Sequence, residues 1–368
     1  MDIEEEKKVI NLKNRFKYTF KELDFTIIEI LKEDNIYNFL EVDEYINSDE
    51  YKDQQIFSVQ FPEGRQLQYS QGKIVGKLNK YFKYSLGTKG GSSGSPIILI
   101  KNLKLIGLHK GKIKYNNSDK IGIPINLIIN KINFIKCIYN IEKENVGKEI
   151  QIINNRYYDY NGDLKVNEEI GKKIKIIING EAKSNTFRYI FTEEGKYNIY
   201  LVIDSLITNI SCLFNSCNCL EEINLSTFDT THIIYMQYIF YNCFRLKKGN
   251  FSNLNSNNLN NMEYMFSECS SLDEIDLSSF KADNVINMRN MFKGCKNIKN
   301  IKLISLKANN VIDMSGMFSG CYSLKEINLS SFNMNNVNNI EKMFYYCSSL
   351  EKIEFSPFMN KKIKNMKN

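Results

Sequence analysis

The chain has 368 residues, 43% of them hydrophobic and 25% charged, and its formal net charge of +7 comes from scattered lysines. That length accommodates two or three domains with cores of their own, and the balance is that of a folded globular protein. No block of five or six like charges suggests a nucleic-acid arm, no run approaches the ~18 apolar residues of a membrane helix, and the start Met1-Asp2-Ile3-Glu4-Glu5-Glu6 has no apolar signal core. The expectation is a cytoplasmic chain as written, or a secreted or surface one if residues are missing ahead of Met1.

In chain order, the first candidate element is 22–30, a β-branched segment read as a strand with Asp24 near its start. Further strands are expected at 55–61, 72–75 and 81–86, with Phe61-Pro62-Glu63-Gly64 as a turn. Then comes Thr88-Lys89-Gly90-Gly91-Ser92-Ser93-Gly94-Ser95-Pro96, dense in Gly and Ser, ahead of the apolar run 97–100. A Ser flanked by glycines lets backbone approach a substrate closely and can aim several N–H groups at one point, as an oxyanion hole requires. The same composition also suits a flexible turn between two strands. A hairpin of 97–100 and 103–108 follows, then a strand at 120–125 and an apolar stretch, 127–135, expected to close the domain as a helix.

The pattern Gly-x-Ser-Gly-x-Pro made by Gly91, Ser93, Gly94 and Pro96 resembles the nucleophile loop of trypsin-like serine proteases. The resemblance implies a partial trypsin-like double β-barrel over residues 1–137. In it Ser93 is the nucleophile, the N–H groups of Gly91 and Ser93 form the oxyanion hole, and Asp24, 69 residues upstream of Ser93, is the triad acid. Thr88 and His109, the latter after Gly107-Leu108, are similar to the pair that lines the specificity pocket of glutamyl endopeptidases of the staphylococcal type. That implies cutting after Glu or Asp, since a His can donate to a buried carboxylate; the alternative is that His109 packs in the pocket wall and selects nothing. The family places the general-base His upstream of the Asp. None of the 23 residues before Asp24 is His, and the only other histidine, His232, lies in the repeats described next. Two explanations stand: an absent N-terminal segment holds the base, or a decayed protease is kept as a binding module. Either way little proteolysis is expected from the chain as written.

Residues 138–205 read as a small β connector. Segments 147–154 and 171–179 echo each other as strands, Asn161-Gly162 and Asn179-Gly180 are hairpin-type turns, and no chemistry is visible. The expected task is to cap the solenoid that follows.

From 206 to 358 three series keep one interval of 26: Cys217, Cys243, Cys269, Cys295, Cys321 and Cys347; a Phe three residues before each; and a Leu or Ile three after. This is a repeat architecture. Met288, Met291, Phe292 and Cys295 stand at i, i+3, i+4 and i+7, the spacing of one helix face, and an alternating segment such as 324–329 follows as a strand. The unit closely resembles the BspA-like leucine-rich repeat, which implies an α/β solenoid of helix–strand coils. Equal spacing spreads the thiols along the array, against a metal or disulfide role and for small buried side chains; Cys212, Cys217 and Cys219 form the one local cluster. Asn-x-Ser sequons at Asn224 and Asn328 fall on repeat strands and carry no weight as glycosylation sites. An outward strand position reads Glu222, Glu274, Asn300, Glu326 and Lys352, encoding no ligand sign, and 249 carries Gly where other units have Ile. Residues 359–368 are a basic tail.

The fold expectation is thus multidomain, mainly β plus an α/β solenoid. The functional expectation is a serine endopeptidase acting on a protein or peptide, with a repeat surface for a protein partner, and no cofactor, metal, nucleic acid or membrane span. The alternative is a non-enzymatic interaction protein or surface adhesin with a vestigial protease half.

Overall fold

The computed structural model describes residues 133–356, apart from 160–161, 184–185, 204–205, 253, 255–256, 281–282, 304–305 and 307–308, and ahead of them residues 52–53 and eight strands. The chain divides into two compact units, Met1–Ile132 and Asn133–Asn368.

In the first unit, β1 (Lys17–Phe20) and β2 (Phe25–Ile28) pair antiparallel, with Thr19 opposite Thr26. Six further strands, β3 (Gln55–Gln60), β4 (Gln68–Leu78), β5 (Tyr81–Leu86), β6 (Pro96–Leu99), β7 (Leu105–Ile113) and β8 (Asn116–Pro124), close a barrel in the order β3-β4-β5-β8-β7-β6. It consists of two three-stranded meanders, β3–β5 and β6–β8, joined through β5–β8 and β3–β6. Closure leaves no exposed strand edge. Ile56, Ile74, Tyr84 and Ile97 are fully buried in this unit, and burial pushes the Tyr84 phenol far above its ordinary range. The long β4 changes register against β5 between Ile74 and Gly76, the kind of bulge that bends a strand around a barrel. The turn expected at 61–64 lies outside the described residues.

The helix expected over 127–135 is corrected at its end: β9 (Phe134–Ile141) is already a strand. Ile135, Cys137, Tyr139 and Ile141 point alternately into the core of the second unit, so a period of two governs a stretch whose composition alone looked helical. A 3₁₀ turn, Lys143–Asn145, leads to β10 (Glu149–Gln151), then β11 (Arg156–Tyr158) and β12 (Leu164–Val166). Next come α1 (Glu168–Lys173), β13 (Ile174–Ile178), β14 (Glu181–Lys183), β15 (Arg188–Ile190) and β16 (Gly195–Ile203). The strand expected over 171–179 therefore begins inside a helix. Asn167 caps it by accepting from the Glu169 N–H at 3.1 Å, and acidic residues in its first turn and lysines in its last suit the helix dipole. Asn179 and Gly180 both take positive φ, 51° and 77°, and turn β13 into β14.

The repeats begin with β17 (Leu220–Asn224) and β18 (Lys248–Asn250), which complete a six-stranded sheet in the order β14-β13-β16-β9-β17-β18. The β unit thus covers the open end of the array by donating β9 as the neighbour of its first strand. Later coils contribute β19 (Glu274–Asp276), β20 (Asn300–Lys302), β21 (Glu326–Leu329) and β22 (Lys352–Phe355), paired in parallel as β19–β20 and β21–β22.

The helix side of the expected coil is corrected outright. Among the described residues no coil contains an α-helix. Phe292 N–H donates to Met317 O in the next coil at 2.9 Å, where a helix would send it back to Met288 O. Met288, Asn290 and Gly294 do the same with Asp313, Ser315 and Ser319. The residues between close tight turns, as Cys295 N–H to Phe292 O at 3.1 Å. Asn290 and Gly294 sit at φ 53° and 73°, which no right-handed helix tolerates. A string of such turns still brings Met288, Met291, Phe292 and Cys295 inward, all fully buried, so it mimics a helical period.

Inside the array the six phenylalanines stack ring on ring from Phe214 to Phe344, with centroids 5.3–5.8 Å apart and planes within 14°. Each cysteine adds a bond to its packing: the Cys243, Cys269, Cys295, Cys321 and Cys347 thiols donate to the Phe carbonyl of the preceding coil at 2.9–3.2 Å. Burial pushes the Cys217 thiol up to about 12 and Cys347 up to about 11, so both stay protonated donors at neutral pH. All nine cysteines are free. In the cluster at the array's start all three are buried, and Cys217 donates to Ile152 O at 3.4 Å.

Where cap and array meet, the buried Glu221 carboxylate is gripped by Lys247 at 2.8 Å and Lys196 at 3.0 Å. Burial by itself raises its pKa, but the hydrogen bonds and charges of the two lysines outweigh this and hold it below the ordinary 4.5. The unfolded chain therefore takes up this proton first as pH falls. The grip's contribution is full above about pH 4.5 and fades as pH drops toward the lower folded value. Acid titration of the urea midpoint is expected to fall more steeply below pH 4.5 in the parent than in Glu221→Gln; parallel curves would show that the two lysines contribute nothing to the junction.

Candidate functional site

Asp24, Thr88, Gly91 and Ser93 lie outside the described residues, so their geometry is bounded only by the strands around them. Asp24 immediately precedes β2. Residues 87–95, which include Thr88, Gly91 and Ser93, form the connection between β5 and β6, that is, between the two meanders of the barrel. His109 is a backbone member of β7, opposite Gly122 of β8. Its neighbour Leu108 is the register partner of Pro96, the residue that opens β6 three positions after Ser93. A bulge follows His109 at once, since the next paired residue of β7 is Gly111 opposite Ile121. Register thus places His109 next to the β7 partner of Pro96. His232 sits on an exposed turn of the repeats, in the other unit.

On the strand face of the repeats, Glu222 is paired with Lys248, Glu274 with Asn300 and Glu326 with Lys352. One rung further along, Lys302 faces Asp276 of the preceding coil at 3.5 Å, while within β22 Lys352 pairs with Glu354 two residues on. Opposite charges meet across neighbouring coils, so the face answers its own charges and selects no sign of ligand. Lys248 belongs to this row; the sequence reading passed over it because its unit carries Gly249. That glycine is explained by Phe251, whose ring lies 2.2 Å from where a Cβ on Gly249 would stand. Phe251 stands where Leu225, Leu277, Leu303 and Leu329 stand in their coils, and its ring folds back over the Gly249 position, edge-on to Phe266 at 5.1 Å.

The abundance of Asn, which carried no meaning in the sequence, builds two ladders. At strand ends the Asn224, Asn250, Asp276 and Asn328 side chains accept the N–H two residues on, at 2.9–3.1 Å. Three of these, Asn224, Asn250 and Asn328, open Asn-x-Ser sequons. On another edge Asn258, Asn284, Asn310 and Asn336 donate their amides to backbone carbonyls of the preceding coil. Among the described residues no helix is long and apolar enough to cross a membrane.

Comparison with known families follows this division. Residues 4–108 match the family model described as Trypsin-like peptidase domain, and the barrel itself runs on to Pro124. Residues 208–304 and 273–368 match twice the family described as Mycoplasma protein of unknown function, DUF285. No curated protein matches the chain. The chain therefore joins a region similar to trypsin-like peptidase domains to a repeat region similar to the DUF285 proteins.

Proposed function

We propose that the first unit is a serine endopeptidase of the trypsin-like class and that the repeats recruit its protein substrates or a protein partner through a BspA-like surface. The observation that carries this reading is the closed six-stranded barrel in a region matching trypsin-like peptidase domains, with the Gly-x-Ser-Gly-x-Pro segment as the link between its two meanders. Ser93 is the nucleophile, Asp24 orients the general base, and the Gly91 and Ser93 N–H groups receive the oxyanion. Thr88 and His109 meet an acidic side chain ahead of the scissile bond; the pairing of Pro96 with Leu108 supports a place for His109 beside the nucleophile connection.

A fluorophosphonate probe tests this. Neither His109 nor His232 precedes Asp24 in sequence. The 368-residue chain is therefore expected to label weakly, and a form carrying any in-frame upstream residues with a His to label strongly. Ser93→Ala should abolish both signals. Absence of labelling in both forms, each shown to be folded, would favour a binding protein with a vestigial peptidase half. Cleavage after basic or large apolar residues would remove the acidic specificity from the proposal.

A further inference from the structure

A groove of about 1030 Å³ lies within the second unit, between the β11–β12 hairpin and the turn side of the first coils. Its floor is aromatic. Tyr238 stacks on Tyr264 at 4.8 Å with planes 11° apart, meets Tyr241 edge-on at 5.7 Å, and faces Tyr158 of the hairpin at 6.3 Å. Tyr158 and Tyr235 remain 46% and 43% exposed in it, open to a ligand. The described lining contains two carboxylates, Asp159 and Glu263, and no Lys or Arg. Both already meet a cation: Lys165 lies 3.5 Å from Asp159, which also accepts the Asp163 N–H at 2.9 Å, and Arg289 lies 3.9 Å from Glu263, which accepts the Asn287 amide at 3.4 Å. Burial raises the Glu263 carboxyl above its ordinary value, Arg289 only partly offsets this, and Asp313 adds to it. Beside Tyr238, the Gln237 Oε1 atom is buried and accepts no hydrogen bond.

The backbone under these rings is left-handed. Tyr238 and Tyr264 take φ 58° and 54°, the left-handed region where bulky side chains are rare. The equivalent residues in the next two coils are Asn290 and Gly316, which suit that conformation. Lys342 and Tyr346 take the same region on a coil beyond the groove, at φ 56° and 59°, so this backbone belongs to the repeat as a whole.

We infer that this groove binds an arginine-bearing peptide segment. Tyrosine faces attract and stack a planar guanidinium. Its fork of donors matches the acceptors beside that floor: the Gln237 carbonyl and, one coil on, the Glu263 carboxylate, whose own cation stands beyond a direct hydrogen bond. The protein's overall charge of +7 opposes basic ligands, so such binding would have to arise locally. The inference does not rest on the peptidase reading.

Fluorescence anisotropy on the full chain carrying Ser93→Ala, which keeps the probe intact, tests it with labelled (Gly-Arg)3 amide and its citrulline counterpart, the neutral isostere. Saturable binding of the arginine peptide is expected, with citrulline weakening it about tenfold or more, and Tyr238→Asn and Glu263→Gln each weakening it about fivefold or more. Asp276→Asn on the strand face should change nothing. Tyr238→Asn places a residue suited to left-handed backbone and should retain the parent's thermal transition, while Glu263→Gln carries the test whatever Tyr238→Asn does to folding. Equal binding of both peptides, equal loss in Asp276→Asn, full affinity in Glu263→Gln, or displacement by neutral maltohexaose with no arginine preference would each overturn the inference.

Discussion

Phe266→Ala is expected to destabilise the repeat unit by about 3–5 kcal/mol, the cost of removing a fully buried aromatic ring whose site cannot collapse. Phe266 is fully buried and lies between the rings of Phe240 at 5.3 Å and Phe292 at 5.5 Å, with Phe251 edge-on at 5.1 Å. Truncation therefore interrupts the stack inside the array, with two rings on one side and three on the other. In a solenoid, stability is roughly the sum of each unit's own stability and its contacts with neighbours, so a weakened central interface also uncouples the two halves. Urea unfolding followed by tyrosine fluorescence should show a lower midpoint and a broader or split transition. A single transition displaced by less than about 1 kcal/mol would mean that the backbone ladder, and not the ring stack, holds the coils together.

The second large effect is a pair. Gly249→Ile should cost about 1–3 kcal/mol by overpacking, because its Cβ lands 2.2 Å from a Phe251 ring already held between neighbours. Combining it with Phe251→Leu recreates the arrangement of Ile275 with Leu277 and Ile327 with Leu329 in other coils. The double variant should recover to within about 1 kcal/mol of the parent, giving a coupling of the size seen for residues that share one space. Costs that simply add would show that the two residues do not compensate each other.

The regularity of the repeats was legible because three residue series share one period, and strand positions in the barrel were legible because runs rich in β-branched or aromatic residues, such as 55–60 and 81–86, sit between turn signals. The coil's second side was not. Inward residues at i, i+3, i+4 and i+7 arise from a helix and equally from consecutive turns with left-handed corners. The distinguishing cue was Asn290, Gly294, Gly316 and Gly320, four residues apart within a coil and 26 between coils. Residues 134–135 were misread because an apolar run shows its period only once its buried partners are known. The Gly249 anomaly resolved only with Phe251, since a missing side chain two positions from an enlarged one shows as compensation only when the ring folds back. For the catalytic reading, sequence supplied the residue types, and the barrel adds the order in which their strands meet.

The bonds between coils have one further consequence. Backbone N–H groups reach 25 residues ahead, rings stack at 26, Asn amides reach back 27 and thiols 29, all fixed offsets from one period. An insertion of one residue in a turn would put the rungs that span it out of step in every ladder at once. Loss or gain of a whole 26-residue coil would break no rung, because each coil meets its new neighbour in the old register. The array is thus intolerant of small changes in its length and permissive of large ones. Its reach can therefore vary by duplication while its surface chemistry drifts one substitution at a time.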